Sequence, residues 1–162
     1  DQVGEQFELW LNAESLNTVL DSCPITEAPL DPWIETNIAA GIGEVCAATQ
    51  EEFIPQMLNM DITGAVSFSK GCYTGQEVIA RLHYLGQAKR SAYRASCTAV
   101  AAPGDPVHLT EGGVAGEVVD ACEDGPHQRL LLVLQDAMAG AALQVNKASL
   151  FDLQPVSGQA PN

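Results

Sequence analysis

The stretch Lys70-Gly71-Cys72-Tyr73-Thr74-Gly75-Gln76-Glu77-Val78-Ile79-Ala80-Arg81-Leu82-His83-Tyr84-Leu85-Gly86 divides the chain into two kinds of structure. Val78, Ile79, Leu82 and Leu85 recur at helical spacing and Gly86 supplies a stop, so a helix is expected over about residues 75–85. Thr74 and Glu77 have the Thr-x-x-Glu spacing of a capping box, and Tyr73 with Val78 that of a hydrophobic staple. Cys72 then lies just outside a helix N-terminus, where unpaired N–H groups and the helix dipole favour negative charge, with Lys70 close by. A thiol so placed is either a nucleophile or metal ligand, or a small buried residue in a tight turn.

Before this stretch the patterning is mixed. Residues 6–12 alternate, with Phe7, Leu9 and Leu11 on one face, and read as a strand. Glu14 to Leu20 suits a short helix, and Asp31-Pro32 suits a helix start, with Asp31 as cap and Pro32 at the first position. That second helix carries Trp33, Ile34, Ile38 and Ala39 and stops at Gly41 or Gly43. Gly41-Ile42-Gly43 lacks the third glycine of a dinucleotide loop. Pro55 interrupts the apolar run 52–60. Trp10 and Trp33 are expected in the core.

After Gly86 the period falls to two: Tyr93, Ala95, Cys97 and Ala99 face one way, Arg94, Ser96 and Thr98 the other. Strand-like runs at 106–110, 114–122, 128–135, 143–146 and 148–153 are separated by turn signals such as Pro103-Gly104-Asp105 and Glu123-Asp124-Gly125-Pro126. Short strands with regular turns indicate a small antiparallel barrel or sandwich. The expected division is therefore 1–88 mixed α and β, 89–156 all-β, and 157–162 a frayed tail. The first part holds too few strands to close an α/β layer alone, so a partner half is expected upstream or in a separate chain.

Composition narrows the function classes. Hydrophobic residues make up 46% and charged residues 17%, as in folded domains, and no apolar run nears the ~20 residues of a membrane helix. Five cysteines, at 23, 46, 72, 97 and 122, form no Cys-x-x-Cys pair, which argues against a disulfide framework or a self-contained metal site and fits a reducing compartment. The four other than Cys72 are read as packing residues. His83, His108 and His127 have no metal-ligand spacing. The net charge of −14 argues against broad nucleic-acid binding. Yet five of the seven basic residues, Lys70, Arg81, Lys89, Arg90 and Arg94, fall within residues 70–94, a local basic island suited to one anionic ligand or partner.

The runs Phe53-Ile54-Pro55-Gln56-Met57-Leu58-Asn59 and Val66-Ser67-Phe68-Ser69-Lys70-Gly71-Cys72-Tyr73-Thr74-Gly75-Gln76-Glu77-Val78-Ile79-Ala80-Arg81 resemble the YgfZ family, folate-binding proteins similar to the glycine cleavage T-protein. The resemblance runs from about Phe7 to Leu153 and corresponds to the C-terminal half of the family's chain. It implies an α+β fold: part of a T-protein-like folate-binding domain followed by a small antiparallel β-barrel. It implies a folate-dependent accessory factor for assembly or repair of iron–sulfur enzymes, including those that modify tRNA. Tetrahydrofolate or a derivative is the implied cofactor, with a transient iron–sulfur cluster shared with a partner, since one cysteine cannot hold a cluster. Cys72 is the implied reactive residue and transient iron ligand. Lys70, Gly71, Tyr73, Gly75, Gln76, Glu77 and Arg81 frame it, and Gln56, Asn59 and Trp33 are the implied folate contacts. Ala39 stands where relatives often carry a charged residue. Implied partners are the missing N-terminal half of the folate domain and iron–sulfur assembly proteins or client enzymes. No membrane association and no direct tRNA binding are expected. The implied location is the cytoplasm of a bacterium, or the mitochondrial matrix of a eukaryote. Two alternatives stand beside this. One is a tetrahydrofolate-dependent aminomethyltransferase, for which only Glu77 or Asp61 offers a carboxylate. The other is a non-catalytic RNA- or protein-binding module using Tyr73, Tyr84 and Tyr93 among the basic residues.

Overall fold

The run Leu130-Leu131-Leu132-Val133-Leu134 is fully buried, and it is the axis of the molecule. Such a run can be buried throughout only if both faces of its strand are covered. In the computed structural model, which describes residues 7–86 and 88–156, it is the core of a strand, His127–Gln135 (β4). β4 lies within one antiparallel sheet with Arg90–Cys97 (β1), Pro106–Leu109 (β2), Val114–Asp124 (β3), Leu143–Val145 (β5), Ala148–Ser149 (β6) and Phe151–Pro155 (β7). The order across the sheet is β6-β5-β2-β3-β4-β1-β7. Its two edge strands are separated in sequence by Leu150 alone, so the sheet must curl back on itself like part of a barrel wall.

The period-two pattern sorts side chains between two cores. Leu130, Leu132 and Leu134 face the inside of the curl with Ala95, Cys97, Val107, Val118 and Val145. Leu131 and Val133 face outward and pack with Ala92, Val119 and Cys122 against Ile38 and Leu58. Each of the Leu, Ile and Val side chains among them contributes about 1.5–3 kcal/mol on burial. Val118 and Val119 fall in opposite cores by simple alternation, and the register shift between Val118 and Asp120 leaves Val119 as an extra residue, so that it and Asp120 together oppose Leu131.

The outer core is where the first half of the chain meets the sheet. Helix Asp31–Ala40 (α2) delivers Ile38, and a 3-10 turn, Pro55–Leu58, delivers Leu58. Gly41 ends α2 at φ 72°, and Gly43 is buried where an added Cβ would lie 2.9 Å from Val119 and 3.1 Å from Leu58. The glycine pair thus serves close packing on the sheet. Asp31 is the first helical residue and does not cap; Leu30 holds that position, and the Asp31 carboxylate accepts from the Glu123 N–H at 3.3 Å.

Helix Ala13–Ser22 (α1) is capped by Asn12, whose Oδ1 accepts from the Ser15 N–H at 2.8 Å. The expected strand at 6–12 does not form over residues 7–12, and Gln6 lies outside the described residues. Among the described residues no strand lies beside it to take up its backbone hydrogen bonds; Phe7 and Leu9 are exposed and Trp10 is 87% exposed, not in the core. The third helix, Gln76–Leu85 (α3), falls where the spacing predicts it, with Gly86 as C-cap. Among the described residues no helix is long and apolar enough to cross a membrane. The tail expected at 157–162 lies outside the described residues.

Candidate functional site

The loop that carries Cys72 leaves Ser69 and turns into α3 without regular structure. Cys72 is exposed there, four positions before the first helical residue. The expected capping box is not made: Gly75 occupies the N-cap in a left-handed conformation, φ 85°, and no side chain caps the helix. Since a left-handed cap turns the chain away, Thr74 is not positioned to receive the Glu77 N–H. Gln76 does the closing, its Oε1 accepting from the Tyr73 N–H at 3.3 Å while its own N–H donates to the Tyr73 carbonyl at 3.2 Å. Glu77 pairs with Arg81 at 2.7 Å on the exposed face of the helix. The staple is absent too; Val78 is 60% exposed, and the Tyr73 ring instead carries the Lys70 ammonium 4.8 Å from its centre. So Lys70, Tyr73 and Gln76 shape the cysteine loop, and Glu77 and Arg81 pair with each other.

A second feature lies against α3. Asn59 ends the 3-10 turn at φ 57°, a conformation Asn tolerates, and is buried. Gln56 ties this turn to the helix, its amide Nε2 donating to the Ile79 carbonyl at 2.7 Å. The His83 ring stacks on Phe68, centres 3.9 Å apart, and its Nδ1 lies 4.0 Å from an Asp61 oxygen. Gln56, Asn59, Asp61, His83 and Ser91 line a cleft of about 340 Å³ between the turn, α3 and β1. Three buried atoms of its wall have no partner among the described residues: Gln56 Oε1, Asn59 Nδ2 and Asp61 Oδ1. Buried polar atoms are normally satisfied, so a mixed set of one donor and two acceptors marks a place built for a polar ligand or ordered water.

Two of the residues implied as folate contacts, Gln56 and Asn59, are therefore together in one cleft. Trp33 is on α2, where its Nε1 donates to Glu44 at 3.4 Å, and does not line that cleft. Asp61, two residues beyond Asn59, joins them on the same segment, whereas His83 and Ser91 reach the cleft through chain folding that local spacing does not encode. The basic residues do not converge: Arg90 lies over Phe53 at 5.7 Å, Arg94 donates to the Ala39 carbonyl at 2.8 Å, and Arg81 pairs with Glu77. Of the cysteines read as packing residues, Cys97 and Cys122 are buried, but Cys23 and Cys46 are exposed. The Thr49 hydroxyl, bonded to the Cys46 sulfur at 3.5 Å, lowers that thiol's pKa against the opposing effect of burial. Among the described residues no group of three or more His, Cys, Asp or Glu side chains is placed to hold a metal ion.

No family model matches the sequence. The chain is 39% identical over 114 residues to the tRNA-modifying protein YgfZ of Klebsiella pneumoniae (strain 342), a match covering 67% of this chain and 35% of that protein. It is 36% identical over 113 residues to the tRNA-modifying protein YgfZ of Escherichia fergusonii, covering 67% and 34%. A third relative of the same name, from Escherichia coli O127:H6, is 34% identical over 113 residues. The chain spans about a third of the length of these curated relatives.

Proposed function

We propose, from the premise that this chain belongs to the YgfZ family, that it serves tRNA modification as part of a folate-dependent accessory factor for iron–sulfur enzymes. The single observation that carries this reading is the pairing on α3 of an exposed cysteine loop and a polar cleft whose wall holds three unpartnered atoms. The cleft fits the polar edge of a reduced pterin in chemical terms, since such a ring presents both N–H donors and carbonyl or ring-nitrogen acceptors. Gln56, Asn59 and Asp61 would hold it, and the bound folate would supply a one-carbon-carrying amine. Cys72 acts as the reactive thiol and can supply one ligand to a transient iron centre, the others coming from a client or assembly protein. The rest of the folate domain, from outside this chain, would complete the pocket.

The test is genetic and chemical. A whole protein carrying Cys72→Ser should fold with an unchanged melting temperature yet fail to restore methylthiolated tRNA in cells deleted for their YgfZ homologue. Restoration by that variant would sink the role of Cys72. Asn59→Asp and Gln56→Glu should weaken tetrahydrofolate binding about tenfold or more, because each replaces an amide that pairs with a heterocycle by a charge. A second reading, a one-carbon transferase, is favoured by the Asp61 carboxylate in the cleft. It requires that Asp61→Asn abolish turnover while Cys72→Ser spares it, the reverse of the pattern expected here.

A further inference from the structure

A second cavity, of about 330 Å³, opens on the opposite side of β1 from the barrel interior, between the C-terminal end of α2 and β7. Arg94 and Ser96 enter it from β1, His127 and Arg129 from β4, and Phe151 from β7. It shares no lining residue with the cleft beneath α3.

Its charges are unevenly matched. Asp124 accepts from Arg129 Nε at 2.7 Å, and Arg129 also reaches Glu35 at 3.3 Å, so those three groups satisfy one another. Arg94 has no such carboxylate among the described residues. Its Nη1 donates to the Ala39 carbonyl at 2.8 Å, which fixes the guanidinium, and its Nε is buried without an acceptor among the described residues. In a guanidinium held by Nη1, the Nε–H and the neighbouring Nη2–H point the same way, and this edge is the one that grips a carboxylate by two parallel bonds. A buried N–H left unpaired costs on the order of 1–3 kcal/mol, more when the group is charged, so the site favours an incoming acceptor. His127 adds a second orphan, its Nδ1 buried and without a partner among the described residues, while the ring stands edge-on to Phe151, centres 5.1 Å apart. Asp152, the other acid at the cavity, is exposed and makes no ion pair among the described residues.

We propose that this cavity binds a small organic carboxylate, its two oxygens on the Nε edge of Arg94 and a hydrogen bond from His127, with its carbon skeleton against Phe151 and Ile38. The fork of Arg94 can grip a carboxylate or a phosphate by two bonds, and it is the aromatic and aliphatic walls, which suit an organic body better than an inorganic ion, that favour an organic carboxylate.

Benzoate and glutarate are the probes, with inorganic phosphate at equal ionic strength as the comparison, read by NMR on the ¹⁵N-labelled chain through the Arg94 Nε–H and His127 side-chain signals. Saturable shifts with a carboxylate, at least about tenfold tighter than with phosphate, are expected. Arg94→Lys keeps the charge but loses the fork, and should weaken the carboxylate about tenfold with the spectrum otherwise native. His127→Phe keeps the packing on Phe151 and should weaken it by a smaller factor. Absence of saturation by either carboxylate overturns the proposal, as does phosphate binding of equal strength, or carboxylate binding untouched by Arg94→Lys. Because the readout involves neither tetrahydrofolate nor Cys72, its failure leaves the role of the α3 site standing, and the converse also holds.

Discussion

At the scale of single residues the cysteines show how burial and neighbours divide one side-chain type into two chemical kinds. Cys122 is sealed at the outer core, and burial, with the Glu35 and Asp31 carboxylates adding to it, pushes its thiol from the ordinary 9.0 up to about 11. Burial also raises Cys97. Cys46 goes the other way, through the Thr49 hydroxyl. In a timed alkylation at pH 8, Cys23, Cys46 and Cys72 should therefore react in the folded protein, with Cys97 and Cys122 reacting only in denaturant. Thr49→Ala should slow Cys46 and leave Cys72 unchanged. A pH dependence follows from Cys122. Below about pH 9 its thiol is protonated in both folded and unfolded chains and does not alter stability with pH. Between about 9 and 11 the unfolded chain loses the proton while the folded one keeps it, so unfolding is favoured and stability falls as pH rises. Urea midpoints measured across pH 8 to 11 should decline, and Cys122→Ala should flatten part of that slope. An identical slope in the variant would remove Cys122 as its source.

At the scale of elements, α3 shows where local spacing predicts a helix correctly and its start wrongly. Both a capping box and a left-handed glycine can open the same helix, and the sequence Thr74-Gly75-Gln76-Glu77 contains the residues for each. The fold uses Gly75, whose φ of 85° places the preceding loop away from the first turn. Gly75→Ala should then cost about 1–2 kcal/mol, although an added Cβ there meets nothing within 4 Å, because the cost is conformational. Thr74→Ala should cost almost nothing, and Glu77→Ala only the ~0.3–0.5 kcal/mol of an exposed pair with Arg81. Were Thr74→Ala to cost ~1 kcal/mol and Gly75→Ala nothing, the capping box would be right after all. The sheet was more legible than the helix start. Its strands end at Gly, Pro and Asp turns and alternate between two cores, which period two and the Leu130–Leu134 run both announce. The α3 cleft was half legible: Gln56, Asn59 and Asp61 lie in one short segment, but His83 and Ser91 meet them only through packing.

At the scale of the whole molecule the two ends of the chain differ in what holds them. The sheet, α2 and the 3-10 turn share two cores, whereas α1 has no buried residue and Leu16, Leu20, Ile25 and Leu30 stand exposed with Trp10. Alternation over 6–12 predicts a strand because the residues carry a strand's pattern, yet a pattern specifies only which face would be covered. Covering it takes a neighbouring strand, and none lies there among the described residues. A ten-residue helix without tertiary packing is marginal in water, since the cost of nucleation is not recovered over so few hydrogen bonds. Hydrogen exchange should separate the two regimes in one experiment. Amides of β4 and β3 should exchange only through global unfolding, and those of α1 close to unfolded-chain rates. Leu20→Ala should then leave the unfolding free energy from urea titration within about 0.5 kcal/mol of the parent, while Leu132→Ala should lower it by about 2–5 kcal/mol through the cavity it opens. If α1 amides were protected as strongly as those of β4, the exposed apolar residues would have a binding partner in solution, and dilution would show whether that partner is a second copy of the chain.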